Sequence, residues 1–197
     1  MRRFWAAPNI NIVRDVRWGR AQETYGEDPT LTGEMGKAYV SGMQHPNGTD
    51  GPLFVRNVAK HFAAYNLESN FATQCTKEDT DEQCLKDADG QYRLSYNAPV
   101  SDADMMQTFL PAFEAVVVDS KIRGIMCAYN SVNGVPLCAN ELLQKQLRER
   151  MGFEGIVITD CGAIGMMTAN HHWNHSNGTA YTPVEATAAA MAAGTDL

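Results

Sequence analysis

The sequence predicts an α/β protein whose parallel strands are joined by helical crossovers. Short apolar segments alternate along the chain with longer segments of helical character, and this alternation indicates parallel pairing with right-handed connections. The clearest apolar segment is GIVITD at 155–160, in which a β-branched run leads into Asp160. A short continuous apolar run is typical of a strand buried on both faces of a parallel sheet.

The first half of the chain contains two predicted strands and one helix. Alternating polar and apolar residues at 9–13 indicate a strand. After a long charged connection, Pro29 begins a helix that Asp28 caps and that continues to Met43. A second strand is predicted at 55–65, and the charged insert at 68–91 is predicted to be a surface loop.

The second half continues the alternation. A helix is predicted at 102–119, with a bend at Pro111, and a third strand at 122–129. A helix at 141–151 follows, capped by Asn140 and ended by Gly152.

The strand that carries Asp160 comes next, and a loop rich in His and Asn is expected to extend from it to Thr182. A helix is predicted at 183–193, and residues 194–197 begin one more strand. Four strands and the start of a fifth make about half of a (β/α)8 barrel. Nothing resembles a linker, so residues 1–197 are expected to form a single domain, and the absence of a boundary at either end predicts a fragment.

Composition excludes two classes of partner. The formal net charge is −7 at pH 7, which argues against binding to nucleic acid or to an anionic membrane. No apolar run approaches the ~20 residues that a helix needs to cross a bilayer. The first residues also lack the apolar stretch of a signal peptide.

Cysteines and sequons favour an oxidising compartment. Cys75 with Cys84 and Cys127 with Cys138 are candidate disulfide pairs, which leaves Cys161 over. Three N-x-S/T sequons lie in polar surroundings, at Asn47, Asn174 and Asn177. We therefore expect a secreted protein whose signal peptide is not in this chain.

Four predicted strand ends carry polar side chains that would meet at one rim of a barrel, the edge where barrel sites are built. They are Arg20, Lys60 with His61, Tyr129 and Asp160. Neighbouring residues on a strand point to opposite faces, so Lys60 and His61 can share a pocket only where the strand ends or bulges.

Local pattern leaves alternatives open for several of these residues. Asp160 could serve only as the N-cap of a following helix, and Arg20 could form only an ion pair with Glu23. The His171, His172 and His175 cluster could suggest a metal, but no acidic or thiolate ligand is suitably spaced, which favours a surface loop.

Five segments together resemble the first, barrel domain of glycoside hydrolase family 3. In chain order they are APNINIVRDVRWGRAQETYGEDP, AKHFAAY, MCAYNSVNGVPLC, LRERMGFEGIVITD and AGTDL. ITDCGA, KHFAAYNLE and RLSYNAPVS are most similar to the β-xylosidase and α-L-arabinofuranosidase branch.

The resemblance implies a retaining, exo-acting glycosidase that releases a terminal sugar, β-xylose above all, from oligo- or polysaccharide. Asp160 would be the nucleophile that forms a covalent glycosyl-enzyme. Arg20 and Lys60 would supply cations and, with His61, bind sugar hydroxyls. Tyr129 would orient the nucleophile or stack near the sugar ring, and Arg93 matches a further sugar contact of the family. No cofactor and no metal are implied.

The resemblance also implies that the general acid/base comes from a C-terminal domain beyond this chain. Two other hypotheses therefore stay open. The chain could be an inactive or sugar-binding fragment, or Lys60 could form a Schiff base as in an aldolase.

Overall fold

The computed structural model describes residues 4–16, 18–48, 52–67 and 93–197. Its strands, in chain order, are β1 (Phe4–Trp5), β2 (Arg56–Phe62), β3 (Asn97–Ala98), β4 (Gly124–Cys127), β5 (Ser131–Val132), β6 (Val135–Pro136) and β7 (Ile156–Thr159). Its α-helices are α1 (Pro29–Gln44), α2 (Asp102–Asp104), α3 (Pro111–Glu114), α4 (Ala163–Ala169) and α5 (Pro183–Ala192). Helical turns of π geometry cover Met105–Phe109, Ala115–Asp119 and Leu143–Arg150, and 3₁₀ turns cover Ala21–Glu23 and Leu137–Ala139.

The main sheet has four parallel strands in the order β1-β2-β4-β7. This confirms the α/β fold with helical crossovers, although the described residues do not close a barrel. Residues after α5 lie along β7, because the backbone of Asp196 donates to Val157 and that of Thr159 donates to Leu197. Residues 196 and 197 thus bond to the backbone of β7, but residues 194–197 do not form the strand that the sequence predicts.

Helices pack on the sheet through small residues and aromatic rings. A Cβ atom at Gly36 of α1 would lie 2.9 Å from Val116, so glycine permits this close approach. Phe62 of β2 packs edge-on against Phe113 of α3, with ring centroids 5.0 Å apart, and both side chains are fully buried. This contact joins the strand that leads to His61 to the helical layer.

Helix boundaries follow the local signals. The carboxylate of Asp28 accepts from the backbone of Thr30 and Leu31, and Pro29 occupies the first helical position. The 102–119 helix is interrupted at Leu110, directly before Pro111, whose ring lacks the backbone N–H that a continuous helix needs.

Two other predicted segments differ from the structure. Residues 9–13 do not form a strand; a parallel bridge joins Asn9 to Lys60, and β1 precedes it. The Asn11 side chain, rather than its backbone, bonds the backbone of His61, so the ladder stops there. The 161–182 segment is not all loop, because α4 occupies its first part.

A small second sheet, β3-β5-β6, was not predicted as such. Its hairpin turns at Asn133 and Gly134, which have φ of 51° and 85°, and Asn-Gly favours such a turn. A disulfide joins Cys127 to Cys138, and Cys161 is a free thiol. The candidate pair Cys75 and Cys84 and the whole 68–91 insert lie outside the described residues.

Within these described ranges, no helix is both long and apolar enough to cross a membrane.

Candidate functional site

Asp160 follows β7 directly, at the C-terminal end of the parallel sheet. Its Oδ1 accepts from the backbone N–H of Cys161 at 2.7 Å. Helix α4 has Gly162 at its N-cap and no side-chain cap, so the carboxylate of Asp160 does not serve as the helix cap. The side chain keeps 13% of its surface exposed, which leaves the carboxylate accessible to a ligand.

His61 connects this carboxylate to Arg20. Its Nε2 lies 3.5 Å from Asp160 Oδ2 and 3.2 Å from Arg20 Nη1, and the residue is 1% exposed. The pairing of β2 with β4 shifts register between Ala59 and Phe62. This irregularity lies where Lys60 and His61 would otherwise point to opposite faces.

Arg20 has two sets of partners. Its Nε and Nη2 donate to the two carboxylate oxygens of Glu23 at 2.8 and 2.7 Å, while Nη1 faces His61. The guanidinium also lies over the Tyr65 ring, 5.7 Å from the centroid. Burial acts to lower the pKa of Arg20, but hydrogen bonds with Glu23 and Tyr65 raise it above its ordinary value. The ion pair with Glu23 thus holds the guanidinium of Arg20 in place, while its Nη1 still contacts His61.

The cations around His61 keep its ring neutral. Burial lowers the pKa of His61 well below its ordinary value of 6.5, and the charges of Arg20, Lys60 and Arg93 lower it further. The hydrogen bond with Arg20 lowers the pKa of Glu23, and the charge of Lys60 also contributes. Lys60 therefore acts electrostatically on both groups.

Tyr129 lies close enough to Asp160 for the two groups to interact electrostatically. Its hydroxyl donates to the backbone carbonyl of Cys161 at 2.8 Å, and the Arg93 guanidinium lies 5.4 Å from its ring centroid. Burial raises the pKa of Tyr129 to about 12, with the charge of Asp160 adding to the effect. The hydroxyl therefore stays protonated and holds the backbone beside the carboxylate.

His171 is a site neighbour that sequence reasoning missed. Its Nε2–H donates to the carbonyl of Tyr129 at 2.7 Å, and the Ser131 hydroxyl donates to its Nδ1 at 2.9 Å. The segment after α4 is thereby attached to the backbone of Tyr129. Only the clustering of three histidines marked it in the sequence. Among the described residues, no three or more His, Cys, Asp or Glu side chains are placed so that they could hold a metal ion together.

The structure thus brings all six candidate residues into one region. An accessible carboxylate lies beside a neutral imidazole, that imidazole contacts the guanidinium of Arg20, and a phenol holds the adjacent backbone. Such an arrangement can bind a polyhydroxylated ligand through hydrogen bonds and present a carboxylate as a nucleophile.

Comparison with known sequences identifies relatives over almost the whole chain. The chain matches the family description "Glycosyl hydrolase family 3 N terminal domain" over residues 4–97 and 86–197. It is 38% identical over 196 residues to Beta-D-xylosidase 3 of Arabidopsis thaliana. It is 42% identical over 198 residues to the Probable exo-1,4-beta-xylosidase xlnD of Neosartorya fischeri. Both alignments cover 98% of this chain but 22% of the relative's length.

Solved structures also match almost the whole of this chain over a small part of their own length. A GH3 exo-beta-xylosidase (XlnD), solved in complex with a xylobiose aziridine activity-based probe, superposes with a TM-score of 0.81 at 33% identity. A beta-glucosidase from Listeria innocua, solved with glucose, superposes with a TM-score of 0.73 at 31% identity. These matches cover 98% and 99% of this chain, and 22% and 23% of the respective structures.

Proposed function

Because this chain belongs to glycosyl hydrolase family 3, we propose that it supplies the nucleophile and the sugar-binding residues of a retaining glycosidase that releases terminal β-xylose. One observation carries the proposal: Asp160 Oδ2 lies 3.5 Å from His61 Nε2, which in turn meets Arg20 Nη1 at 3.2 Å. A carboxylate at the end of a strand is thus surrounded by groups suited to hold a monosaccharide.

In the proposed reaction, a carboxylate oxygen of Asp160 attacks the anomeric carbon as the bond to the leaving oxygen breaks. The leaving oxygen takes a proton from a general acid, and a covalent glycosyl ester forms on Asp160. Water, deprotonated by the same acid/base residue, then attacks the anomeric carbon and releases the sugar. Two inversions at one carbon give net retention of configuration.

The other residues of the site would bind and orient the sugar. Arg20 and Lys60 carry positive charge and donate to sugar hydroxyls, and His61 can accept from one. Tyr129 holds the carbonyl of Cys161, so it controls the backbone from which the nucleophile projects. Arg93, over the Tyr129 ring, would add a further sugar contact.

The general acid/base requires a second carboxyl about 5–5.5 Å from the first. Glu23 is a poor candidate, because both of its oxygens accept from Arg20. We propose that a further domain of the complete protein supplies this group. Without it, the chain would bind sugar but turn it over slowly.

Exo action on xylose and secretion complete the proposal. Exo action and xylose as the sugar rest on relatives named as xylosidases. Secretion rests on the Cys127–Cys138 disulfide and on the exposure of the three sequon asparagines, Asn47, Asn174 and Asn177. Removal of N-glycans from protein produced in a secretory eukaryotic host should lower its mass.

Covalent labelling tests the nucleophile directly. We expect a xylose-configured aziridine probe to label the complete protein, and peptide mass spectrometry to find the adduct on Asp160. The Asp160→Asn variant should not be labelled. An adduct on another residue would overturn the assignment, and borohydride trapping of a carbonyl compound on Lys60 would favour the aldolase hypothesis.

Chemical rescue tests the mechanism. In the Asp160→Gly variant, azide can enter the space left by the carboxylate and attack the anomeric carbon. We expect azide to restore turnover of an aryl β-xyloside and to yield a glycosyl azide of inverted configuration. Unchanged turnover of this variant without azide would exclude Asp160 as the nucleophile.

A further inference from the structure

Beside His61, the side chain of Asn11 makes the hydrogen bonds that the backbone of a neighbouring strand would otherwise make. Asn11 is 3% exposed and follows the Asn9–Lys60 bridge. Its Nδ2 donates to the carbonyl of His61 at 2.8 Å, and its Oδ1 accepts from the backbone N–H of His61 at 2.8 Å. One amide therefore satisfies both backbone groups of a residue 50 positions away in sequence.

These two bonds define the orientation of the Asn11 amide. The carbonyl of His61 only accepts and its backbone N–H only donates, so the nitrogen and oxygen of the amide cannot exchange places. The same Oδ1 lies 3.1 Å from Nδ1 of the His61 ring. Since an amide oxygen accepts only, a neutral ring must carry its proton on Nδ1 to bond it.

Nε2, the other nitrogen of the His61 ring, lies beside a hydrogen-bond donor. Arg20 Nη1 lies 3.2 Å from His61 Nε2, and a guanidinium can only donate. A proton on Nε2 would therefore face another donor, and Nδ1 would then present a lone pair to the oxygen of Asn11. Asn11 and Arg20 thus favour the same tautomer, at shorter distances than the 3.5 Å from Nε2 to Asp160 Oδ2, the acceptor that would favour the other.

We propose that Asn11 is a positioning residue that holds His61 in the Nδ1–H tautomer, so that its Nε2 lone pair faces the sugar pocket and Asp160 stays free of a hydrogen bond from His61. The charged and titratable groups that act on the ring are Arg20, Lys60, Arg93 and Asp160, and the Tyr65 ring packs against it with centroids 4.8 Å apart. Three of them are cations, which disfavour a second proton on the imidazole.

The consequence for catalysis rests on the proposed function. With Nε2 unprotonated, His61 accepts from a sugar hydroxyl or from Arg20 and donates nothing to Asp160, although the two side chains are 3.5 Å apart. The Asp160 lone pairs then remain available for attack on the anomeric carbon. An imidazolium would instead form an ion pair with the nucleophile and reduce its reactivity.

The unsubstituted protein provides the first test. In the complete protein labelled with ¹⁵N-histidine, solid-state NMR at pH 7.5 should show one histidine protonated on Nδ1 and not on Nε2. This signal should be absent from the His61→Gln variant, which assigns it. A proton on Nε2 of His61 would overturn the proposal whether or not the protein hydrolyses xylosides.

The second test is the Asn11→Asp variant, which keeps the acceptor but adds a negative charge beside Nδ1. We expect the His61 pKa, measured by deuterium exchange of the ring C2–H and mass spectrometry, to rise by about one unit or more. The acid limb of kcat/KM for an aryl β-xyloside should move to higher pH by a similar amount. An unchanged His61 pKa in a folded variant would overturn the proposal.

Asn57→Asp is the matched control. Asn57 is a fully buried residue on the same strand, β2, and its Nδ2 donates to the carbonyl of Ala7. Its replacement also buries a carboxylate but should leave the pKa of His61 unchanged. If both variants shift that pKa equally, buried charge in general is responsible and Asn11 has no special role.

The two proposals can fail separately. Failure of the aziridine probe to label Asp160 would refute the proposed nucleophile or the proposed preference for xylose and leave the tautomer measurement intact. Labelling of Asp160 together with an Nε2–H tautomer would refute the role of Asn11 alone.

Discussion

Two regions of this chain place an arginine and an aspartate in one cluster and use them differently. The rim cluster consists of Arg20, His61 and Asp160 at the C-terminal end of the sheet. The Arg148 cluster consists of Arg148, Asp196 and the backbone at Gly155, Val157 and Gly194 to which they bond. Both arginine side chains are largely buried, with 17% and 23% of their surface exposed.

In the Arg148 cluster, the side chains of Arg148 and Asp196 bond mainly to backbone groups. Arg148 donates to the carbonyls of Gly155 at 3.2 Å and Gly194 at 2.9 Å, and to Asp196 Oδ2 at 2.9 Å. Asp196 Oδ2 also accepts from the backbone N–H of Val157 at 2.8 Å. These bonds join the residues after α5 to β7.

In the rim cluster, side chains bind mainly other side chains around an accessible carboxylate. Asp160 Oδ2 faces the neutral imidazole of His61 rather than a backbone donor. Residue type therefore does not distinguish a structural cluster of arginine and aspartate from a reactive one. What distinguishes them is whether the backbone already satisfies the polar atoms.

The largest expected effect is on kcat, and it should differ between substitutions of Asp160 and of Asp196. Asp160→Asn should lower kcat for an aryl β-xyloside by roughly 10⁴-fold or more, because an amide cannot form the glycosyl ester. Its thermal unfolding midpoint should stay close to that of the unsubstituted protein. Steady-state kinetics and scanning fluorimetry on the complete protein measure both quantities.

Asp196→Asn is the matched comparison. It weakens bonds to Arg148 and Val157, so it should lower the unfolding midpoint while kcat changes less than tenfold. Equal losses of activity in the two variants would mean that the distinction between the clusters is wrong.

Substitution of the two arginines should likewise affect activity for Arg20 and stability for Arg148, with a smaller loss of activity than for Asp160. Arg20→Met keeps the length of the side chain but removes the cation that contacts His61 and Glu23. We expect kcat/KM to fall by about 10²-fold, as for the loss of charge-assisted hydrogen bonds in a buried site.

Arg148→Met should act on stability instead. It leaves the carbonyls of Gly155 and Gly194 without their donor, at a cost of about 2–3 kcal/mol in the free energy of unfolding. Chemical denaturation measures this loss. A loss of stability in Arg20→Met as large as in Arg148→Met would show that both arginines are structural.

Tyr129→Phe should have a smaller effect. The variant removes the hydrogen bond to the carbonyl of Cys161 and keeps the ring under Arg93. One neutral hydrogen bond corresponds to about 1 kcal/mol, so kcat should fall about fivefold with little change in KM. A fall of 10³-fold would indicate that the hydroxyl takes part in the chemistry itself.

The smallest expected effect is a pH dependence at His171. Burial lowers its pKa from the ordinary value of 6.5, so the unfolded chain binds a proton at a higher pH than the folded protein does. Its contribution to stability is therefore complete above pH 6.5 and is lost as the pH falls toward the folded pKa.

His171→Gln should remove this part of the pH dependence, measured as the difference in unfolding midpoint between pH 7.5 and pH 5. His172→Gln, at an exposed neighbour, is the control and should leave the difference unchanged. An unchanged difference in His171→Gln would show that this histidine does not titrate as described.

Sequence reasoning succeeded where neighbouring residues define the structure. Asp28 and Pro29 predict the start of α1, and the apolar run before Asp160 predicts β7, because capping and burial act within a few residues. It failed at residues 9–13, where an alternating pattern predicts a strand. There a side-chain amide bonds a histidine backbone 50 residues away, and no local pattern records such a contact.

The site shows the same division. A strand-end location marked Asp160, His61 and Arg20 as candidates, but only the structure shows that Glu23 occupies two donors of Arg20 while a third faces His61. His171 carried no signal of its contact with Tyr129, because a hydrogen bond to a distant backbone carbonyl leaves no periodicity in the chain.

The amino-acid sequence alone determined the alternation of strands with helices, the class of fold, the family and the residues able to carry chemistry. Those features depend on short-range preferences and on residue identity. The tertiary structure decided which polar atoms are already satisfied, which groups surround each ring nitrogen of His61, and which of the two aspartates faces a neutral imidazole at the end of the sheet. Hydrogen bonding and desolvation depend on distances of a few ångströms between residues far apart in the chain, and only folding sets those distances.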